Sequence, residues 1–573
     1  MRYVNKIGVL IMSLANKVLF PIFSLIVVIF LFGCTESEPQ ETTKKPKLVL
    51  QITVDQLRGD MPTAQLARLG EGGFRYLLDN GVNYTNAHHR HANTETAVGH
   101  ATLFTGADPS AHGLVGNSWI DPDTGAYVYS TEDGEHHIVG KEAKAHEGIS
   151  PNNLLVSTIG DELVDSNDSL SRVFSVSIKD RGAIIPGGHK GKAFWYSKSS
   201  GDFVTSSYYY DNNPSWLTEW NSKKLADSYS GKSWELFSDL ASYDARDRDD
   251  RPYEANLPPL GRVFPHQYGS DKYLYLILSL TPVGDELTLD FAKKLIDSEA
   301  VGQGNEVDFL AVSFSSTDYV GHMFGPASLE SEDNILRLDN ILKQLFSFVD
   351  EKVGLENTLI VLSADHGAPE APEYSDSIGR EAGRFDFTYF REQGPLNEAL
   401  TAKYGRDDLI ATHSHPYLYL NLAAIAEAGL KVAEVEQFVA DEVIKIPGIS
   451  HAFIKSNLLT GIGVDSPLGQ QVARNFHPVR SGNIHMVQEP YWFLHSTDEA
   501  QKMGLDAIAA IHGSPWEYDT HVPIMIARKG MASKSISRLV SPVDIAPTIA
   551  EYLQIGYPSG VVGEPLKELV EGN

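Results

Sequence analysis

Three apolar runs of this chain close on aspartate: VLQITVD on Asp55, AVSFSSTD on Asp318 and IVLSAD on Asp365. Apolar runs bounded by polar residues read as buried parallel strands. Ligands of open α/β sheets gather outside the carboxyl ends of such strands. Three carboxylates brought to one crevice repel one another unless cations lie between them. Histidines follow at useful spacings. In TDYVGHMFG, Asp318 and His322 are four apart and share a face if the segment is helical, and in SADHG, Asp365 and His366 are adjacent. His512 lies in IHGSPWEYDTHVP, with His521 nine residues further on. Imidazole and carboxylate without thiolate suit zinc, and manganese or iron by donor type alone.

A second group of chemically able residues surrounds HANTETAVGHATLFTG, residues 91–106. Its threonines include Thr94 and Thr96, just before a helical pattern. A threonine hydroxyl is a weak nucleophile near neutral pH unless its alkoxide is favoured. Downstream come Asn117 in GLVGNSWID and the cations Lys179 and Arg181 in SIKDRGA. Residues two apart on a strand point to one face, so Lys179 and Arg181 could together contact a dianionic group, Arg as a planar fork and Lys as a point charge. The histidines of AHHRHAN (His88, His89, His91) and THSHP (His413, His415) lack evident carboxylate partners and read as structural or surface histidines.

The elements that must position these residues alternate between strand and helix. VFSVSIKD, VDFLAVSFSSTD, TLIVLSADHG and VPIMIARKG read as strands. NILRLDNILKQLFSFVDEKVG reads as a long helix with Ile335, Leu338, Leu342, Leu345 and Val349 on one face. This alternation predicts an α/β fold with a mostly parallel central sheet flanked by helices. Residues of about 190–280, rich in Trp and Tyr, and of about 368–500 break the rhythm and are expected to be inserted cap or subdomain segments.

The chain has 573 residues and a formal net charge of −28. Such a surface argues against a nucleic-acid partner. Residues 1–33 carry Arg2, Lys6 and Lys17, then an almost wholly apolar run, which reads as an export signal. The sole cysteine, Cys34, follows in LFGC, which resembles the lipobox of bacterial lipoproteins. Lipidation of Cys34 would leave residues 34–46 as a flexible tether and the catalytic domain from residue 47 to 573. A membrane-anchored periplasmic or cell-surface lipoprotein is therefore expected.

VDQLRGD, TETAVGHATLFTGADPSAHGLVGN, TDYVGHMFGP, SADHG and HGS...YDTHVPIMI, in that order, resemble the alkaline phosphatase superfamily of two-metal hydrolases. The general plan is also similar to that of nucleotide pyrophosphatase/phosphodiesterases. Asn117 with Lys179 and Arg181 resembles the monomeric, phosphate-insensitive bacterial alkaline phosphatases of the PafA type.

The resemblance implies two zinc ions, one on Asp318, His322 and His512, the other on Asp55, Asp365 and His366. For the late ligand, His512 is preferred to His521 because its HG step resembles the family motif. Thr96 would be the nucleophile and also touch metal, with Thr94 the alternative, and Asn117, Lys179 and Arg181 would bind the phosphoryl group. A monomeric phosphomonoesterase acting through a phosphothreonine is the implied function, and a phosphodiesterase the alternative. The C/S-x-P-x-R motif of formylglycine sulfatases is absent from the sequence.

Overall fold

The computed structural model describes residues 45–494, apart from 123, 143 and 271, and residues 508–570. The expected leader and Cys34 lie outside the described residues. No helix among the described residues is long and apolar enough to cross a membrane.

The elements that build the site are, in chain order, β1 (Leu48–Val54), β2 (Gly81–His88), α1 (Thr96–Thr105), β3 (Val173–Ser177), α2 (Asp180–Gly187), β4 (Lys192–Tyr196), β5 (Phe203–Val204), α3 (Val283–Glu299), β6 (Asp308–Phe314), α4 (Ser316–Phe324), α5 (Leu329–Lys352), β7 (Thr358–Ser363), β8 (His521–Ala527), β9 (Lys534–Ile536) and α6 (Ile545–Leu553). The nine strands form one sheet in the order β9-β2-β8-β7-β1-β6-β3-β4-β5. Its centre, β7-β1-β6-β3-β4, is parallel, and the antiparallel pairs involve β8 and the edge strand β5.

Strand β1 is buried along its whole length. Leu48, Leu50, Ile52 and Val54 join one apolar cluster and Val49 joins another, because successive side chains leave a strand on opposite faces. Helices α3 and α5 cover the first face, and α1 and α6 the second. The α5 face expected from the sequence is the buried one, with Ile335, Leu338, Leu342, Leu345 and Val349 all in the core. Each such side chain contributes about 1.5–3 kcal/mol on burial.

The Trp- and Tyr-rich stretch after residue 190 supplies β4 and β5 and then packs into the main core through Trp220, Trp234, Tyr243 and Tyr268. Trp234 Nε1 and Tyr243 OH donate to the two oxygens of Asp333 on α5, at 2.7 and 2.6 Å. The stretch from 368 contains a four-stranded antiparallel sheet, Ile410–Ser414, Tyr417–Leu420, Ile484–Gln488 and Ile449–Ile454 in spatial order. It has an apolar cluster of its own around Leu400, Ile425, Val435 and Val439.

Register brings the site together. Val54 pairs with Phe314 across β1 and β6, and Thr53 pairs with Ser363 across β1 and β7, so the three strands end at one level. The amide of Asp55 continues the ladder by donating to Phe314 O at 2.9 Å. Helix α4 begins two residues beyond β6, and Asp285 of α3 accepts the N–H groups of Ser315 and Ser316 at 2.8 and 3.1 Å. Those are donors that a helix start leaves without intrahelical partners.

Candidate active site

Asp55 and Asp365 stand directly beyond β1 and β7. Asp318 does not close β6 itself: the strand stops at Phe314, and Asp318 occupies the first turn of α4. His322 follows Asp318 by four residues on α4, one helical turn, which puts His322 Nε2 3.1 Å from Asp318 Oδ1. His512 Nε2 approaches the same oxygen at 3.4 Å, and Gln56 Nε2 donates to it at 3.1 Å. His366 Nε2 lies 3.5 Å from Asp55 Oδ1 and 3.6 Å from Asp365 Oδ2. Burial, then Asp318 and Asp365, push the Asp55 carboxyl well up, which is the repulsion expected of three converging acids.

The histidine tautomers decide what this arrangement can hold. His322 Nδ1 meets Ala510 O at 2.8 Å, His512 Nδ1 meets Thr94 O at 2.7 Å and His366 Nδ1 meets Gly367 O at 3.0 Å. A carbonyl oxygen accepts only from an N–H, so each neutral ring keeps its lone pair on Nε2. Burial holds His366 and His512 low, which keeps those rings neutral. A neutral ring at each of these positions turns its lone pair toward a carboxylate, acceptor against acceptor. His366 Nε2 and Asp55 Oδ1 accept no hydrogen bond, although both are buried. Histidine with its second nitrogen pinned to a carbonyl is the arrangement of a metal ligand. The ligand-capable atoms of Asp318, His322 and His512 lie within 4.8 Å of one another, as do those of Asp55, Asp318 and His366. The residues present fit divalent cations. Asp318 belongs to both clusters, whereas the resemblance had assigned it to one.

Thr96 is the first residue of α1 and is almost fully buried. Arg181 Nη2 points at Thr96 Oγ1 from 3.4 Å. Asn117 Oδ1 accepts the Ala97 N–H at 2.9 Å, the next amide along. Thr94 directs its hydroxyl elsewhere, donating to Ser514 O at 2.9 Å. Gly99 allows α1 to sit here at all: a Cβ on it would lie 1.9 Å from Asp365 O. Gly321 of α4 does the same for Gln56, whose Oε1 would be 1.9 Å from an added Cβ.

The expectation that Lys179 and Arg181 lie on a strand is corrected. Strand β3 stops at Ser177, Lys179 precedes the first turn of α2, and Arg181 is within it. The α2 turn sends the two side chains to different partners. Arg181 reaches Thr96, while Lys179 Nζ lies 2.5 Å from Asp318 Oδ2 and 2.7 Å from Asp55 Oδ2. Burial works against the ammonium, but Asp318 and Asp55 outweigh it and hold Lys179 charged.

A profile of the Type I phosphodiesterase / nucleotide pyrophosphatase family matches residues 49–517. The chain belongs to this family. Within it, the chain is 35% identical to a protein named calcium-transporting ATPase from Myroides odoratus, over 95% of this chain and 97% of the other. It is 32% identical to alkaline phosphatase PafA of Elizabethkingia meningoseptica, over 95% of this chain and 98% of the other. A crystal structure of PafA matches with a TM-score of 0.85, covering 92% of this chain and 99% of that one. The protein is thus an enzyme of the alkaline phosphatase superfamily, with the PafA-like fold. A solved PafA variant carries substitutions at a Thr, an Asn, a Lys and an Arg, whose order and spacing equal those of Thr96, Asn117, Lys179 and Arg181 here.

The surroundings of the site include residues that the sequence named without a role and others that no motif marks. His521 stacks on His88 with ring centroids 4.9 Å apart and bonds to Thr85 O, away from both clusters. Buried His89 bonds to Ala364 O beside Asp365, at 3.1 Å. Gln56, at a left-handed φ of 65°, bonds both Asp365 and Asp318, and no motif marks it. Tyr129 OH donates to Asp180 Oδ1 at 2.6 Å and accepts from Arg181 Nη1 at 3.3 Å, which braces the guanidinium. Glu95 accepts the Asn117 N–H at 2.5 Å and so locks the residue that faces the start of α1. We expect Glu95→Ala to lower kcat/KM roughly 10–100-fold by loosening Asn117. Glu95→Gln keeps the acceptor and should stay within about 5-fold, as steady-state kinetics would show.

Proposed function

We propose that this enzyme hydrolyses phosphate monoesters through a phosphothreonine at Thr96. The observation that carries this reading is Thr96 Oγ1 at a helix start, faced by Arg181 Nη2 at 3.4 Å and flanked by carboxylate–imidazole clusters. Thr96 Oγ attacks phosphorus, the bond to the departing alkoxide breaks, and water then cleaves the phosphothreonine to release inorganic phosphate. Arg181 holds non-bridging oxygens with its planar fork. Asn117 and the N–H groups at the start of α1 other than that of Ala97, which Asn117 already takes, supply donors to the same oxygens. Asp318, His322 and His512 would hold one divalent cation and Asp55, Asp365 and His366 a second; the imidazole content favours zinc. Bound there, such ions neutralise charge on attacking and departing oxygens. Lys179 then turns from Asp55 and Asp318 to the phosphoryl group. The matching order and spacing of the substituted residues in PafA support this set.

The same reading has the enzyme exported, processed at Cys34 and tethered to a membrane, as the lipobox-like LFGC supports, and monomeric, as the resemblance to the PafA type implies. One observation favours a phosphodiesterase instead. Lys179 is engaged by Asp55 and Asp318, which leaves Arg181 as the cation at Thr96 and suits a monoanionic diester. The ratio of kcat/KM for p-nitrophenyl phosphate to that for bis-p-nitrophenyl phosphate separates the two. A ratio above about 10² is expected, since each aimed donor is worth about that factor. A ratio below one would assign the enzyme to diesters.

A further inference from the structure

A third cluster lies outside the site described. Ligand-capable atoms of Asp249, His266 and Glu330 lie within 4.8 Å of one another. Glu330 is in the first turn of α5, and His266 sits in a short strand packed against Trp234, Phe264 and Phe324. The side chains of His266 and Glu330 are fully buried.

His266 repeats the pattern seen at His322 and His512. Its Nδ1 meets Leu260 O at 3.2 Å, so a neutral ring carries the lone pair on Nε2, and Nε2 faces Glu330 Oε1 at 3.2 Å. Burial brings His266 down to about 4, so the ring is neutral. Glu330 Oε2 accepts no hydrogen bond. Glu254 is buried nearby. Its Oε2 takes the Arg251 N–H at 2.9 Å, and its Oε1 accepts nothing. Burial, then Glu330, push Glu254 up to about 8. Asp249 Oδ1 takes the Phe264 N–H at 3.0 Å.

Among the described residues no lysine or arginine pairs with these three acids. The adjacent arginines turn elsewhere: Arg248 to Ala327 O, Arg251 to Asp247 O and Arg262 to Asp250. Buried carboxylates lacking a cation cost several kcal/mol each unless protonated. On the reading proposed above, the active-site clusters answer the same arrangement of atoms with a cation.

We propose that Asp249, His266 and Glu330, with Glu254 beside them, bind a divalent transition-metal ion. Carboxylate oxygens in the majority with one imidazole suit Mn²⁺ first and Zn²⁺ second, whereas Ca²⁺ and Mg²⁺ take oxygen donors. The ion ties the loop around residues 249–266 to the α4–α5 junction. That loop already touches the last turn of α4, where the Ala255 amide donates to Met323 O at 2.8 Å, next to His322. The ion is therefore a clamp on the helix that carries Asp318 and His322.

The full-length protein would be supplied with MnCl₂ and ZnCl₂, and its crystals measured at the manganese and zinc absorption edges. An anomalous peak bounded by Asp249, His266 and Glu330 is expected. Mass-spectrometric metal analysis should show one ion fewer per chain in Glu330→Gln, with Tm lower by roughly 2–5 °C. Wild-type crystals with no peak there, or equal metal content in wild type and variant, would overturn the assignment and leave the cluster to protons. If Glu330→Gln does not fold, the wild-type maps alone decide.

Discussion

Thr96→Ala lowers kcat/KM for p-nitrophenyl phosphate by on the order of 10⁴-fold or more, because removing a covalent nucleophile leaves only binding and electrostatic stabilisation. Thr96→Ser keeps the hydroxyl and retains most activity. The side chain is almost fully buried at the α1 start and its Oγ1 is the atom Arg181 reaches, so the loss belongs to chemistry rather than to exposure of a surface. Acid-quenched enzyme should carry a covalent phosphate in the wild type and none in Thr96→Ala, read by intact-protein mass spectrometry. Thr94→Ala should change kcat/KM by less than about 10-fold, since the Thr94 hydroxyl donates to Ser514 O and its carbonyl serves His512. A covalent phosphate retained by Thr96→Ala and lost from Thr94→Ala would move the nucleophile to Thr94.

His512→Ala should cost about 10³-fold or more in kcat/KM and release one tightly bound ion per chain, because it strips a ligand from the cluster at Asp318. His521→Ala should leave kcat/KM within about 3-fold and both ions in place. Its ring stacks on His88 and bonds to Thr85 O, so the change is one of local packing. Metal analysis and kinetics on the two variants together check the assignment, and the reverse pattern would make His521 the ligand.

The distinction between these histidines shows what the linear sequence can carry. Short spacings survive folding: Asp318 and His322 meet because four residues make one helical turn, and Asp365 and His366 remain neighbours at the end of an apolar strand. The α/β alternation was legible for the same reason, since strand and helix periods are local. The brace around the phosphoryl residues was not. Glu95 meets Asn117 beyond the far end of α1, and Tyr129 meets Asp180 past the whole of β3, contacts that only the completed fold creates. Gln56, at a positive φ with its side chain against Gly321, has no signature in residue type. Lys179 and Arg181 were misplaced onto a strand because a two-residue spacing cannot reveal that a helix begins between them. The aromatic stretch after residue 190 looked irregular because its regularity lies in rings packed on α5 and the sheet, not in a period.

Asp55 leaves the central strand of three parallel neighbours, with the Asp365 strand on one side and the strand leading to Asp318 on the other. Parallel neighbours run about 4.8 Å apart wherever backbone ladders form, close to the ~3.5–4 Å between ions in paired-metal hydrolases. The peptide ladder thus acts as a ruler for Asp55 and Asp365, whose spacing follows interstrand geometry rather than side-chain tuning. Substitution at Asn117, Lys179 or Arg181, which lie off these strands, leaves that gauge unchanged.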